Sequence, residues 1–348
     1  MRDKLKIRYV VLIVLLSVVW ATQLIPILGE VYAQSVYPVI FHFLSSFSKL
    51  MPFAIGDLFI FLSVLGLLFN PIRARYIQKK KWKQILLNEM EYLLWIYAWF
   101  YLAWGLNYSQ KDFYGRTNIP YTAYTPEIFQ SFVDNYIDKL NASYTDVTSI
   151  DEPLVCRESV HGYNQISDTL GIHRPPHSSP RVKTMLFTPF ISMVGVTGSM
   201  GPFFCEFTLN GDLLPPQYPA TYAHELAHFL GITSEAEANF YAYQVCTRSQ
   251  VKEIRFSGYF SVLPHVLGNA RRLMSEEEYA ELFNRIRPEI IELAQKNQQY
   301  WMEKYSPLIG DIQNFIYDLY LKGNKIQSGR KNYSEVIGLL ISYEEWKN

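Results

Sequence analysis

Five consecutive residues have the types and the spacing of a metal centre: His224-Glu225-Leu226-Ala227-His228. In an α-helix, residues four apart share a face, with Cβ atoms about 5–6 Å apart. His224 and His228 can therefore offer imidazole nitrogens to one ion. Glu225 falls beside that ion, where a carboxylate can take a proton from water. Leu226, Ala227, Phe229 and Leu230 are apolar, which predicts a buried helix. Two histidines and a glutamate are costly to bury without a ligand. The chemistry that fits is a catalytic Zn²⁺, which takes three protein ligands and leaves a position for water.

The residues that follow offer the third ligand. Gly231 suits the left-handed position that ends a helix. Ser234 and Glu237 then form an S-x-x-E capping box that opens a second helix. This gives Glu237 a structural task and leaves Glu235, in the first turn, free to point back at the metal. Glu235 is the expected third ligand, with Glu237 as the alternative. Asn239, four residues after Glu235, shares its face and can steady the outer nitrogen of a ligand histidine. A metzincin would carry a third histidine at position 234, which here is serine.

HELAH followed by SEAEANFYAY resembles the gluzincin type of zinc metallopeptidase, with H-E-x-x-H and a downstream E-x-x-x-D/N. WGLNY, GPFFCEFTLN, HELAHFLGITSEAEANF and YDLYLKGN resemble a bacterial membrane family, the domain of unknown function numbered 3810, over nearly the whole chain. That family's pattern has Gly-Glu where this chain has Cys205-Glu206. The resemblance implies a zincin-like fold and peptidase activity on a peptide or protein substrate. It also implies that an edge strand within 196–210 pairs with extended substrate.

The expected mechanism has Glu225 as general base and then acid. A developing oxyanion needs a further donor. His265 is the first candidate; Tyr259, Tyr317 and Tyr320 are others, although in a chain with 26 tyrosines each is first a packing residue. His173 and His177 read as solvated loop residues, and Glu206 as an exposed strand carboxylate. Two other functions use the same motif. One is a catalytically silent zinc-site scaffold or sensor. The other is a zinc amidohydrolase acting on a non-peptide envelope amide.

The elements that must hold this motif follow from the punctuation of the sequence. Thr125-Pro126-Glu127 opens a helix to about Lys139. Glu158–Leu170 is a second helix, ended by Gly171. Residues 173–180 are a loop, Arg181–Phe187 a strand, and Gly195–Asn210 a strand, a turn and a strand. Helical spacing returns from Pro219. Ser275 to Glu278 is a capping box opening a long helix with a break at Pro288. FIYDLYLKGNKIQSG predicts a helix ended by a glycine turn, and a short helix covers 333–342. The predicted fold class is an α+β zincin-like catalytic domain preceded by three transmembrane α-helices.

The chain has 348 residues, 49% hydrophobic and only 18% charged, with 32 basic and 32 acidic groups. The apolar content excludes a disordered chain, and the neutral balance argues against a nucleic-acid partner. The charges are segregated. Residues 1–108 carry 11 basic and 5 acidic groups, net +6, and residues 109–348 carry 21 and 27, net −6. The first part holds three apolar stretches, about 9–29, 51–70 and 90–108, each near the roughly 20 residues that span a bilayer. The first is too long for the apolar region of a cleaved signal peptide. Glu30–Leu50 could lie along the interface. Basic groups before the first stretch and between the second and third put both segments in the cytoplasm. The expectation is a multi-pass anchor in the lipid bilayer, residues 1–108, with an extracytoplasmic catalytic domain, residues 109–348. Cys246 reads as a buried thiol, and Cys156 and Cys205 could pair outside the cell.

Overall fold

The computed structural model describes residues 2–176, 181–324, 326 and 335–347. In chain order its elements are α1 (Arg2–Leu24), α2 (Pro26–Val31), α3 (Tyr37–Ser48), α4 (Ile55–Tyr76), α5 (Trp82–Ala103), α6 (Phe113–Thr117), α7 (Pro126–Ser143) and α8 (Glu152–Leu170). There follow β1 (Lys183–Thr184), α9 (Thr188–Ser192), β2 (Gly198–Gly201), β3 (Glu206–Leu209), α10 (Tyr218–Phe229), α11 (Glu235–Thr247) and α12 (Lys252–Leu273). The last are α13 (Glu276–Arg285), α14 (Pro288–Lys304), α15 (Pro307–Gly323) and α16 (Val336–Lys347). The class is α+β, mostly helical, with one small sheet in the order β1-β3-β2. β2 is therefore an edge strand. The expected long strand over Arg181–Phe187 shrinks to two residues, because Thr188-Pro189 starts a helix immediately after it.

The chain divides into two compact units. One contains residues 1–110 with 181–186 and 200–208; the other contains 111–180, 187–199 and 209–348. In the first unit, α1 packs on α5 through Leu12, Leu16 and Ala98, with Leu94, Trp95 and Tyr97 around them. Tyr92 donates its hydroxyl to Ser63 at 2.9 Å, between α5 and α4. The segment between α1 and α4 is helical, as α2, a π-helical turn over Tyr32–Val36, and α3.

Among the described residues two helices, not three, are long and apolar enough to cross a membrane: Ile7–Leu24 and Ile55–Tyr76. The third expected span fails for a local reason. α5 ends at Ala103 and a 3-10 turn occupies Gly105–Ser109. The helix begins instead at Trp82, and so takes in Lys83, Glu89 and Glu91. The uncharged window that suggested the span is thus only partly helical.

Glu206 corrects another expectation. It is buried, paired with the buried ammonium of Lys183. It also accepts the Gly56 N–H at 2.5 Å, while Lys183 donates to the Ser48 carbonyl at 2.9 Å. Such a pair holds only when its remaining hydrogen-bonding capacity is also used. Next to it, Cys205 has φ of 44°, in the left-handed region that favours glycine. All three cysteines are free thiols.

The second unit is built around α11, which is buried along almost its whole length. It packs against α10, α12, α8 and α16. α7 opens on Thr125, whose hydroxyl accepts the Ile128 N–H. α8 starts earlier than expected, at an Asp151 cap followed by Pro153. The charged stretch after Ser275 splits into α13 and α14 at Pro288, and α13 has the expected capping box.

Candidate metal centre

α10 carries the H-E-x-x-H motif and α11 the downstream glutamates. The link between them is short because Gly231 takes φ of 99° and Ile232 N–H reaches back to the Ala227 carbonyl at 3.1 Å. Ser234 then caps α11, its hydroxyl accepting the Glu237 N–H at 3.3 Å. This turn folds the first residue of α11 back over the last turns of α10.

The structure brings His224, His228 and Glu235 together, with one ligand atom of each within 4.8 Å of the others. His224 Nε2 lies 3.1 Å from Glu235 Oε2 and 3.1 Å from His228 Nε2. His228 Nε2 is 3.4 Å from the same carboxylate oxygen. The outer nitrogens are held from behind. His228 Nδ1 is 2.7 Å from the Ile232 carbonyl, which can only accept, so Nδ1 carries a proton and Nε2 faces the cluster. His224 Nδ1 is 2.8 Å from Asn239 Oδ1, the role expected for Asn239. Tyr317, on α15, donates to the other Glu235 oxygen at 2.5 Å.

Electrostatics follow from burial and crowding. Burial raises the Glu225 carboxyl above its usual range, against the lowering effect of the two histidines. Burial opposes a charge on His228, but Glu235, Glu225 and the Ile232 carbonyl outweigh it and hold the ring at about 9. Burial also works against an ionised Glu235, yet His228 and His224 keep it well below the ordinary carboxylate range. A cation entering the cluster competes with the proton on His228.

Glu225 is buried, and its Oε2 has no hydrogen-bond partner among the described residues; neither has Asn239 Nδ2. Gly198, on the edge strand β2, lies directly against the Glu225 side chain: an added Cβ would sit 2.4 Å from Oε1. No pattern singles out Gly198 or the Ile232 carbonyl, since nothing local says which backbone will meet the motif.

The other candidates separate. Glu237 points away from the cluster; its carboxylate is taken by Arg116 and by the Phe113 N–H. The expected capping-box task for its side chain is not seen: Ser234 accepts the Glu237 N–H, but the carboxylate forms an ion pair with a residue of α6 instead. His265, on α12, is half-buried and lies within electrostatic reach of His224; partial burial first, and then His224, lower it to about 4, so it is neutral at pH 7. Tyr259 packs edge-on against Tyr136 and Tyr243, and Tyr320 stacks on Tyr317. His173 is half-buried, and His177 lies outside the described residues. Cys246 is buried, as expected, with burial pushing its thiol up to about 12.

Residues 32–341 match the family described as Protein of unknown function (DUF3810). No curated protein and no solved structure matches the chain.

Proposed function

The chain belongs to the DUF3810 family, and we propose that it acts as a membrane-anchored, zinc-dependent metallopeptidase. The observation that carries this reading is the convergence of His224, His228 and Glu235 beside a buried Glu225, one of whose oxygens has no partner among the described residues. Two imidazoles and one carboxylate suit zinc better than the all-oxygen shells of calcium or magnesium. The orphaned Glu225 Oε2 fits the same reading, because a structural zinc needs no buried carboxylate at its side. Held by these three residues, zinc would supply a Lewis acid that polarises a carbonyl and acidifies water.

The chain's own residues do the rest. Glu225, with its carboxyl raised by burial, accepts a proton from the attacking water and returns it to the leaving amine nitrogen. Asn239 and the Ile232 carbonyl keep both imidazoles turned inward. Tyr317 fixes the Glu235 carboxylate. His265, neutral at pH 7, is the proposed donor to the developing oxyanion. The edge strand β2, which lies against Glu225 through Gly198, is the proposed place for an extended substrate.

α1 and α4 are the proposed membrane anchor, and the Lys/Arg bias supports a cytoplasmic N-terminus. The extracytoplasmic position expected for residues 109–348 needs an odd number of crossings, so it turns on α5.

The test is peptidase activity of the full-length, zinc-loaded protein against Glu225→Gln. The expected result is loss of at least about a hundredfold in kcat with zinc retained. Equal activity in both would exclude the proposed mechanism. Zinc retained by both with no hydrolysis of any peptide would favour a scaffold. Hydrolysis confined to non-peptide amides would favour an amidohydrolase.

A further inference from the structure

The helix that supplies Tyr317 is apolar on its outside. At about 100° per residue, Gly310, Tyr317 and Leu321 fall on one side of α15. Gly310 and Leu321 are buried, and Tyr317 reaches Glu235. Leu308, Ile309, Ile312, Phe315, Ile316 and Leu319 fall on the opposite side and are all exposed, Leu308 by 76% and Phe315 by 66%. No charge interrupts this stripe; Asp311, Asp318 and Lys322 border it. At its N-terminal end, Ser306 N–H donates to the Met193 carbonyl at 2.9 Å, and α9, which ends just before Met193, also exposes Phe190. Contiguous apolar surface of this kind is uncommon on a soluble surface and marks a docking site.

We propose that this face of α15 docks on the lipid bilayer surface. The inference rests on the membrane-anchored reading: a chain held by α1 and α4 presents α15 to lipid at high effective concentration. The composition of the stripe also favours lipid. Apart from Phe315, it has none of the Tyr, Trp, Met and Arg enriched where proteins meet. An uninterrupted Leu, Ile and Phe face bordered by charge is the pattern of a helix lying at the headgroup boundary. Tyr317 projects from the far side of the same helix, so docking holds the His224–His228–Glu235 cluster roughly 10–12 Å beyond the bilayer surface, one helix diameter. The substrate is then a polypeptide segment close to the membrane.

The experiment uses full-length protein in nanodiscs containing doxyl-labelled phosphatidylcholine. Single cysteines V14C, I312C, F315C and E292C, each in a Cys156→Ser background, carry an environment-sensitive fluorophore. I312C and F315C are expected to be quenched severalfold more than E292C, which lies on a charged exposed face of α14. Quenching of I312C and F315C only to the level of E292C would overturn the proposal, as would disulfide cross-linking of F315C between two copies. V14C reports on the anchor alone: its failure to quench would sink the membrane-spanning reading of α1, with I312C and F315C still deciding α15.

Discussion

Gly198 and Glu225 are in direct contact, and the contact leaves no room for a side chain: a Cβ on Gly198 would lie 2.4 Å from Oε1 and 2.6 Å from Cγ of Glu225. The edge strand is therefore seated on the proposed general base. Gly198→Ala must push Glu225 aside at an overpacking cost of about 1–3 kcal/mol. The expected outcome is a modest fall in Tm, unchanged zinc content, and a fall in kcat of about a hundredfold. Zinc content and kcat on one preparation check it; an unaffected kcat would separate Gly198 and Glu225 from the chemistry.

Glu235 and Glu237 are two residues apart and should fail differently. Glu237 pairs with a buried Arg116. Glu237→Ala strands that cation and should cost about 3–5 kcal/mol of stability while zinc still binds to whatever folds. Glu235→Gln keeps the shape but loses the anionic ligand. It should lower zinc affinity at least about tenfold with little change in fold. Denaturant titration and metal competition on both variants distinguish them. Zinc loss in the Glu237 variant alone would reverse the assignment.

Zinc binding should weaken as pH falls. The proton held on His228 at about 9 must leave Nε2 before a metal can bind there. Below that pH each unit should lower apparent affinity roughly tenfold, as long as one proton is displaced. Competition with a chromophoric chelator from pH 6 to 8 reads the slope. A flat profile would mean that His228 Nε2 is not a ligand.

Burial pushes the thiols of Cys205 and Cys246 up to about 12. At pH 8 only about one in ten thousand of each is thiolate. Iodoacetamide should therefore modify half-buried Cys156 in the native protein and reach the other two only after denaturation. Mass spectrometry of both samples checks this; native modification of Cys205 would contradict its burial beside the Ala103 carbonyl.

The grouping of His224, His228 and Glu235 is readable because its information is local. Helical spacing aligns His224 with His228, and Gly231 with Ser234 marks the turn that brings Glu235 back. What was not readable depends on distant partners. Glu237 looks like a helix cap until Arg116, 121 residues away, takes its carboxylate. Glu206 looks exposed until Lys183 and the Gly56 N–H enclose it. The third apolar stretch misled for a different reason: hydropathy ignores where a helix starts and stops, and α5 stops at Ala103. α15 shows the limit of periodicity. Spacing identifies an apolar face but not whether that face turns inward, and here it turns out.

The central claim is that His224, His228 and Glu235 hold a zinc ion. It is tested most directly by elemental analysis of full-length protein, purified without chelator, beside His224→Ala. The expected result is about one zinc per chain, lost in the variant while circular dichroism is preserved. Wild-type protein without stoichiometric zinc, or His224→Ala with the same content, would contradict it.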